Sequence, residues 1–130
     1  MCIHDWAGTL VLSNVQNTSS GRYACTAKSY NPNTKREASV SRERELDVMT
    51  PPEVIDSPKP VNTLSAKTAR LNCSVTGHPT PRVIWYKNGR PVFIKGRIVQ
   101  SDTNQLLFYN SITADKGMYQ CLAINDAGYA

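Results

Sequence analysis

One five-residue pattern, Gly-x-Tyr-x-Cys, is written twice in this chain. Its first copy is Gly21-Arg22-Tyr23-Ala24-Cys25 and its second is Gly117-Met118-Tyr119-Gln120-Cys121. The match runs outward on both sides: Leu10 answers Leu106, Leu12 answers Phe108, Asn14 answers Asn110 and Ala27 answers Ala123, all at one offset. A period of about a hundred residues is that of tandem domains. The local patterning is that of strands. From Ala69 to Thr76 the apolar residues Leu71, Cys73 and Val75 alternate with Arg70, Asn72 and Ser74, which predicts a half-buried strand. Gly8 to Leu12 reads the same way. Asn88-Gly89 predicts a two-residue hairpin turn, because both residues tolerate positive φ.

With 130 residues the chain has room for one full domain and a piece of another. The second Gly-x-Tyr-x-Cys has a further cysteine, Cys73, well upstream of it; the same step back from Cys25 runs off the start of the chain. Residues 1–48 are therefore expected to hold only the last three strands of a domain. Their hairpin turns at Asn31-Pro32-Asn33-Thr34, and its return strand carries Arg42, Glu43, Arg44 and Glu45, alternating charge that suits a solvated sheet edge. Residues 49–52 are expected to be a proline-stiffened linker, since Pro51 and Pro52 interrupt a strand ladder and fit a rod of domains. Residues 53–130 are expected to form the second domain. Pro58 and Pro60 mark an edge strand, and Ile94 to Gln100 and Gln105 to Tyr109 are further strands. The final hairpin turns at Asn125-Asp126-Ala127-Gly128. The chain stops two residues later, so the closing strand is expected to be missing.

Several function classes are disfavoured by the residues. No apolar run is long enough to span a membrane, and Met1 to Trp6 has neither the basic start nor the apolar core of a secretory signal. The net charge of +5 is spread in alternating signs, with no basic helix or stacking platform for nucleic acid. Cys2, Cys25, Cys73 and Cys121 show no CxxC spacing, and four cysteines allow three pairings. His4 and His78 have no nucleophile at a recognisable spacing and read as surface residues. No phosphate-cradling loop, HExxH or calcium loop occurs. The residues point to no cofactor and no metal. Asn17-Thr18-Ser19 and Asn72-Cys73-Ser74 are sequons, which makes Asn17 and Asn72 glycosylation candidates.

The order Cys73, Trp85, then Asp115-x-Gly117-x-Tyr119-x-Cys121 resembles the immunoglobulin fold. The loops Gly77-His78-Pro79-Thr80-Pro81, Trp85-Tyr86-Lys87-Asn88-Gly89 and Tyr119 through Gly128, with the Pro51-Pro52 junction, resemble its I-set branch. Among I-set proteins the chain looks most like neuronal adhesion and guidance receptors of the group that includes DCC, neogenin and protogenin. Two departures are visible. The loop before Asp115 is one residue short, with Ile112 displaced, and the glycine expected before the strand at Ala69 is replaced around Ser65-Ala66-Lys67.

The resemblance implies an all-β immunoglobulin-like sandwich of I-set type, one partial domain followed by one nearly complete domain. It implies a Cys73–Cys121 disulfide packed on a buried Trp85, and a Tyr119 hydroxyl bonded to backbone just upstream. Closing that loop contributes about 4 kcal/mol in the chain-entropy model, and such a bond belongs to oxidising space. It further implies an Arg97–Asp115 ion pair at one end of the sandwich. In the first copy Tyr23 and Cys25 take the equivalent core positions, with Ser19 in place of Asp115 and with Cys25 lacking its proper partner; Cys2 is the alternative partner, at a position that departs from the family's. If Trp85, Tyr119, Cys121 and Ala123 point inward, Ile84, Tyr86, Met118, Gln120, Leu122 and Ile124 point outward. That outward face is largely apolar, which marks a protein contact. Arg82, Lys87, Arg90 and Lys95 near the same hairpin are candidates for weak sulfated-glycan binding. The implied function is recognition without catalysis. The partner is another ectodomain, homophilic or heterophilic, or a secreted cue, bound on the outer side of the plasma membrane and anchored there by segments absent from this chain. A cytosolic I-set rod of muscle type and the ectodomain of a receptor kinase or phosphatase are the alternatives.

Overall fold

The structure, a computed structural model, describes residues 2–4 and 8–130. It divides into two compact units, Met1–Val48 and Met49–Ala130. The expectations placed on the side chains of Cys2 and His4 lie outside the described residues.

In the first unit, strand β1 (Cys2–His4) pairs antiparallel with β2 (Leu10–Leu12). β3 (Gly21–Asn31) pairs with β4 (Arg36–Leu46) without a break in register, from Gly21 opposite Leu46 to Asn31 opposite Arg36. Among the described residues this unit has four strands where three were expected; a strand as short as β1 shows no period in the sequence. The hairpin turn is closed by Asn31, whose side-chain oxygen accepts the N–H groups of Asn33 and Thr34 at 3.0 and 3.3 Å. A two-stranded ribbon leaves both faces open. Accordingly no described residue from 8 to 48 is buried, and Leu10 and Val11 are exposed rather than half-covered.

The second unit is a sandwich of short strands: β5 (Thr50–Asp56), β6 (Ala69–Leu71), β7 (Ser74–His78), β8 (Arg82–Lys87), β9 (Arg90–Pro91), β10 (Ile98–Gln100), β11 (Leu106–Phe108), β12 (Tyr119–Asn125) and β13 (Gly128–Tyr129). One layer holds the β10-β11-β6 sheet, with β7 continuing the line of β6 and pairing with β5; β13-β12-β8-β9 form a four-stranded sheet. The alternation read from the sequence decides what is covered. Leu71, Cys73, Val83, Trp85, Leu106, Phe108 and Ala123 form the buried core, while Arg70, Asn72 and Ser74 are exposed. Full burial of a side chain such as Leu106 or Phe108 stabilises the fold by about 1.5–3 kcal/mol. The turn between β8 and β9 has Asn88 at φ 48° and Gly89 at φ 77°, the positive pair that such a hairpin requires.

Three boundaries differ from expectation. Thr50–Pro52 are not a linker but the first part of β5. The two prolines sit where the β5–β7 register shifts, between Thr50 opposite His78 and Glu53 opposite Thr76, so their missing N–H groups interrupt the ladder without ending the strand. Residues 57–64, including Pro58 and Pro60, form no strand. The closing strand is not wholly missing: β13 pairs with β12, and Ala123 and Ala130 exchange backbone hydrogen bonds at 2.9 Å. One side chain fastens this end. The Asn125 amide donates to the carbonyls of Thr50 (2.8 Å) and Pro79 (2.9 Å), and its oxygen accepts the Ala127 N–H at 2.9 Å.

Candidate protein-contact face

β8 and β12 lie side by side in register: Gln120 opposite Tyr86, Cys121 opposite Trp85, Leu122 opposite Ile84, Ala123 opposite Val83 and Ile124 opposite Arg82. Directly opposed residues share a face, so the register alone sorts this sheet into two sets. Val83, Trp85 and Ala123 are buried on the inner side. Ile84, Tyr86, Leu122 and Ile124 are half-buried on the outer side, where Gln120 is exposed. Pro91 stands opposite Tyr86 and Tyr129 opposite Ile124, which extends the outer face across all four strands. Met118, at 77% exposure, and Tyr129, at 79%, are its most open apolar members. Sequence reasoning missed Tyr129, because its place on this face depends on β13 being paired. Beside Met118 runs a groove lined by Val61, Leu64, Phe108, Ile112 and Tyr119, which the sequence did not signal.

The inner side is fixed by the groups expected there. Cys73 and Cys121 are joined by a disulfide, with Cα atoms 6.4 Å apart. Trp85 is 1% exposed, and its indole N–H donates to the Asn104 carbonyl at 2.9 Å. The Tyr119 hydroxyl donates to the Asp115 carbonyl, and its ring meets Phe108 edge-on at 5.3 Å. The first unit repeats the corner: the Tyr23 hydroxyl donates to the Ser19 carbonyl at 2.6 Å. Cys25 carries a free, exposed thiol.

Arg97 and Asp115 meet as a two-pronged pair, with both guanidinium nitrogens 2.7 Å from the carboxylate oxygens. Asp115 also accepts the Ile112 N–H at 2.9 Å. The Arg97 hydrogen bonds hold the Asp115 carboxyl below its ordinary range, and more strongly than burial raises it; the same bonds raise Arg97. Burial pushes the Tyr119 phenol up. Ser19 performs half of Asp115's work, accepting the Gln16 N–H at 3.1 Å through its hydroxyl, with no charge to offer an arginine. Lys87 donates to the Ala114 carbonyl and lies over the Tyr119 ring, 5.9 Å from its centre. It is therefore committed to the fold, whereas Arg82, Arg90 and Lys95 are exposed. Asn17 and Asn72 are both exposed. Among the described residues no group of three or more His, Cys, Asp or Glu side chains is placed to hold a metal ion, and no helix is long and apolar enough to cross a membrane.

The sequence model of the immunoglobulin-domain family matches residues 51–125. Netrin receptor DCC from human is 32% identical over 121 residues, covering 93% of this chain and 8% of the receptor. Neogenin from rat is 34% identical over 125 residues, covering 95% and 8%. Human cell adhesion molecule DSCAM is 29% identical over 131 residues, covering 95% and 6%. The chain thus spans less than a tenth of the length of these relatives. Among solved structures, the titin I-band fragment I67–I69 superposes with a TM-score of 0.69 at 28% identity, covering 89% of this chain and 40% of that one. With its strand order, its disulfide on a buried indole and its tyrosine corner, the chain belongs to the immunoglobulin-domain family and is homologous to cell-surface adhesion and guidance receptors.

Proposed function

We propose that the chain is an extracellular recognition segment of a cell-surface adhesion or guidance-type receptor, which binds another protein and makes or breaks no bond. The observation that carries this reading is the outer face of β8, β12 and β13. Ile84, Tyr86, Leu122, Ile124 and Tyr129 form an apolar surface bordered by Met118, Gln120 and the exposed Arg82 opposite Ile124. A sheet face turned to water is ordinarily more polar, and aromatic and methionine side chains are enriched where proteins meet. The disulfide supports an oxidising compartment, and the likeness to DCC, neogenin and DSCAM supports a receptor embedded in the plasma membrane by other parts of its chain. The partner is an ectodomain, either a second copy or a different protein, or a secreted cue. Sulfated glycan remains a secondary ligand for Arg82, Arg90 and Lys95.

Tyr86→Asp with Leu122→Asp tests the reading in a receptor that contains this segment. Both positions are half-buried on the outer face, so the fold should persist while cell aggregation or ligand capture is lost. Arg70→Asp, exposed on β6 of the other layer, should leave binding intact. Unchanged binding in the double variant would remove the face from consideration.

A second reading, an intracellular rod, draws on the titin likeness. Counting free thiols in protein taken from its own cell separates the two, because a rod in reducing space would carry Cys73 and Cys121 unbonded.

A further inference from the structure

Asn72, Cys73 and Ser74 combine two chemistries that conflict once the domain has folded. As a tripeptide they are a glycan acceptor. In the structure Asn72 and Ser74 are exposed on one face, while Cys73 between them is 1% exposed and bonded to Cys121 in the core. The flanks are held as well. Leu71 pairs with Leu106 on β11, and Ser74 pairs with Asp56 on β5. A sugar already on the Asn72 amide projects into solvent and disturbs none of this. An enzyme that must grip the backbone of the tripeptide cannot do so while both flanks are in ladders and the middle side chain is cross-linked.

We propose that Asn72 is an N-glycan acceptor that is open only until the Cys73–Cys121 bond closes. The proposal rests on the extracellular reading, which routes the chain through a glycosylating compartment. In the transfer, the Asn72 Nδ2 attacks the anomeric carbon of a polyisoprenyl-diphosphate-linked oligosaccharide. A C–N bond forms, the C–O bond to the diphosphate breaks, the lipid diphosphate leaves and the amide loses one proton. Disulfide closure competes with this step for the same three residues, so occupancy at Asn72 reports which came first. Asn17 supplies the contrast. It is exposed at the start of a short 3-10 turn, Asn17–Ser19, and among the described residues no disulfide crosses it. Its acceptance should not depend on redox state. Asn72 sits on the layer opposite the contact face, so a glycan there shields one side of the domain and leaves β8, β12 and β13 clear.

The test secretes the chain behind an added signal peptide from glycosylating cells, with Asn17→Gln present so that Asn72 is read alone. Glycosidase-sensitive mobility reports the sugar, and thiol alkylation reports the disulfide. Partial occupancy is expected, abolished by Asn72→Gln or Ser74→Ala and raised at least twofold by Cys121→Ser. Occupancy of Asn17, read in an Asn72→Gln chain, should not respond to Cys121→Ser. In a second arm, purified transferase and lipid-linked donor are offered the sugar-free chain, which should accept at least tenfold faster at Asn72 when reduced and unfolded than when oxidised and folded. Absence of sugar from Asn72 both in the secreted chain whose disulfide has formed and in the Cys121→Ser chain overturns the proposal while leaving the extracellular reading in place. Equal rates in the second arm overturn the ordering. Free thiols at both Cys73 and Cys121 in the secreted chain would sink the extracellular reading and this proposal with it.

Discussion

Replacing both Cys73 and Cys121 by alanine should remove between about a third and nearly all of the stability of the second unit. The bond spans 48 residues of sequence, and the chain-entropy relation assigns a loop of that length about 4 kcal/mol at 25 °C. A domain of this size has a net stability on the order of 4–12 kcal/mol, so the loss approaches the whole at the low end. The alanines leave only a small void, because each replaces one sulfur in a core that Trp85, Leu106 and Phe108 still fill. Urea unfolding followed by Trp85 fluorescence, in a Trp6→Phe background, measures the change. With a slope of about 1 kcal/mol per molar, the midpoint should fall by roughly 3–4 M. The slope itself should rise, because an unfolded chain without the cross-link exposes more surface. A loss below about 1 kcal/mol with an unchanged slope would refute the idea that the bond acts by restricting the unfolded chain.

The remaining predictions concern smaller features. Asp115 has a folded pKa below its unfolded one because Arg97 bonds it; its contribution is complete above the unfolded value of about 3.9 and is lost as pH falls through the lower folded value. Asp115→Asn should therefore lower the urea midpoint near neutral pH and by much less in strong acid; an equal loss at both would deny the linkage. Gly77→Ala should destabilise by more than about 1 kcal/mol, since φ is +149° and a Cβ would lie 3.0 Å from Pro81 Cγ and 3.1 Å from Pro52 Cα. An unaltered midpoint in thermal or urea melts would show that the two prolines yield easily.

The central fold was legible because its markers are held by covalent spacing and by period. Cys73, Trp85, Tyr119 and Cys121 lie at distances set by the strands between them, and the alternation around Leu71 and Val83 repeats on both sheets. What was not legible depended on pairing. Pro51 and Pro52 look like a linker until β7 is seen opposite them with a shifted register. Tyr129 is the penultimate residue, and only its ladder with Ile124 puts it on the contact face. Lys87 reads as a free cation by sequence, yet its ammonium is drawn to the Ala114 carbonyl, which is 27 residues away in the chain. Arg97 and Asp115, by contrast, are as distant as 18 residues but were readable, because a motif fixes both.

The placement of the disulfide also governs how far the second unit can be drawn out. Tension entering at Met49 and leaving at Ala130 loads the Ala123–Ala130 backbone bonds together with the Asn125 amide, which bridges Thr50 to the last hairpin. Once these fastenings yield, only the segments outside the ring between Cys73 and Cys121 can straighten. At about 3.4 Å per residue, the stretched length is limited to about 120 Å, whereas an unlinked chain would reach about 280 Å. A domain built this way acts as a tether with a fixed stop, and the strands carrying Trp85 and Leu106 stay within the closed ring under load.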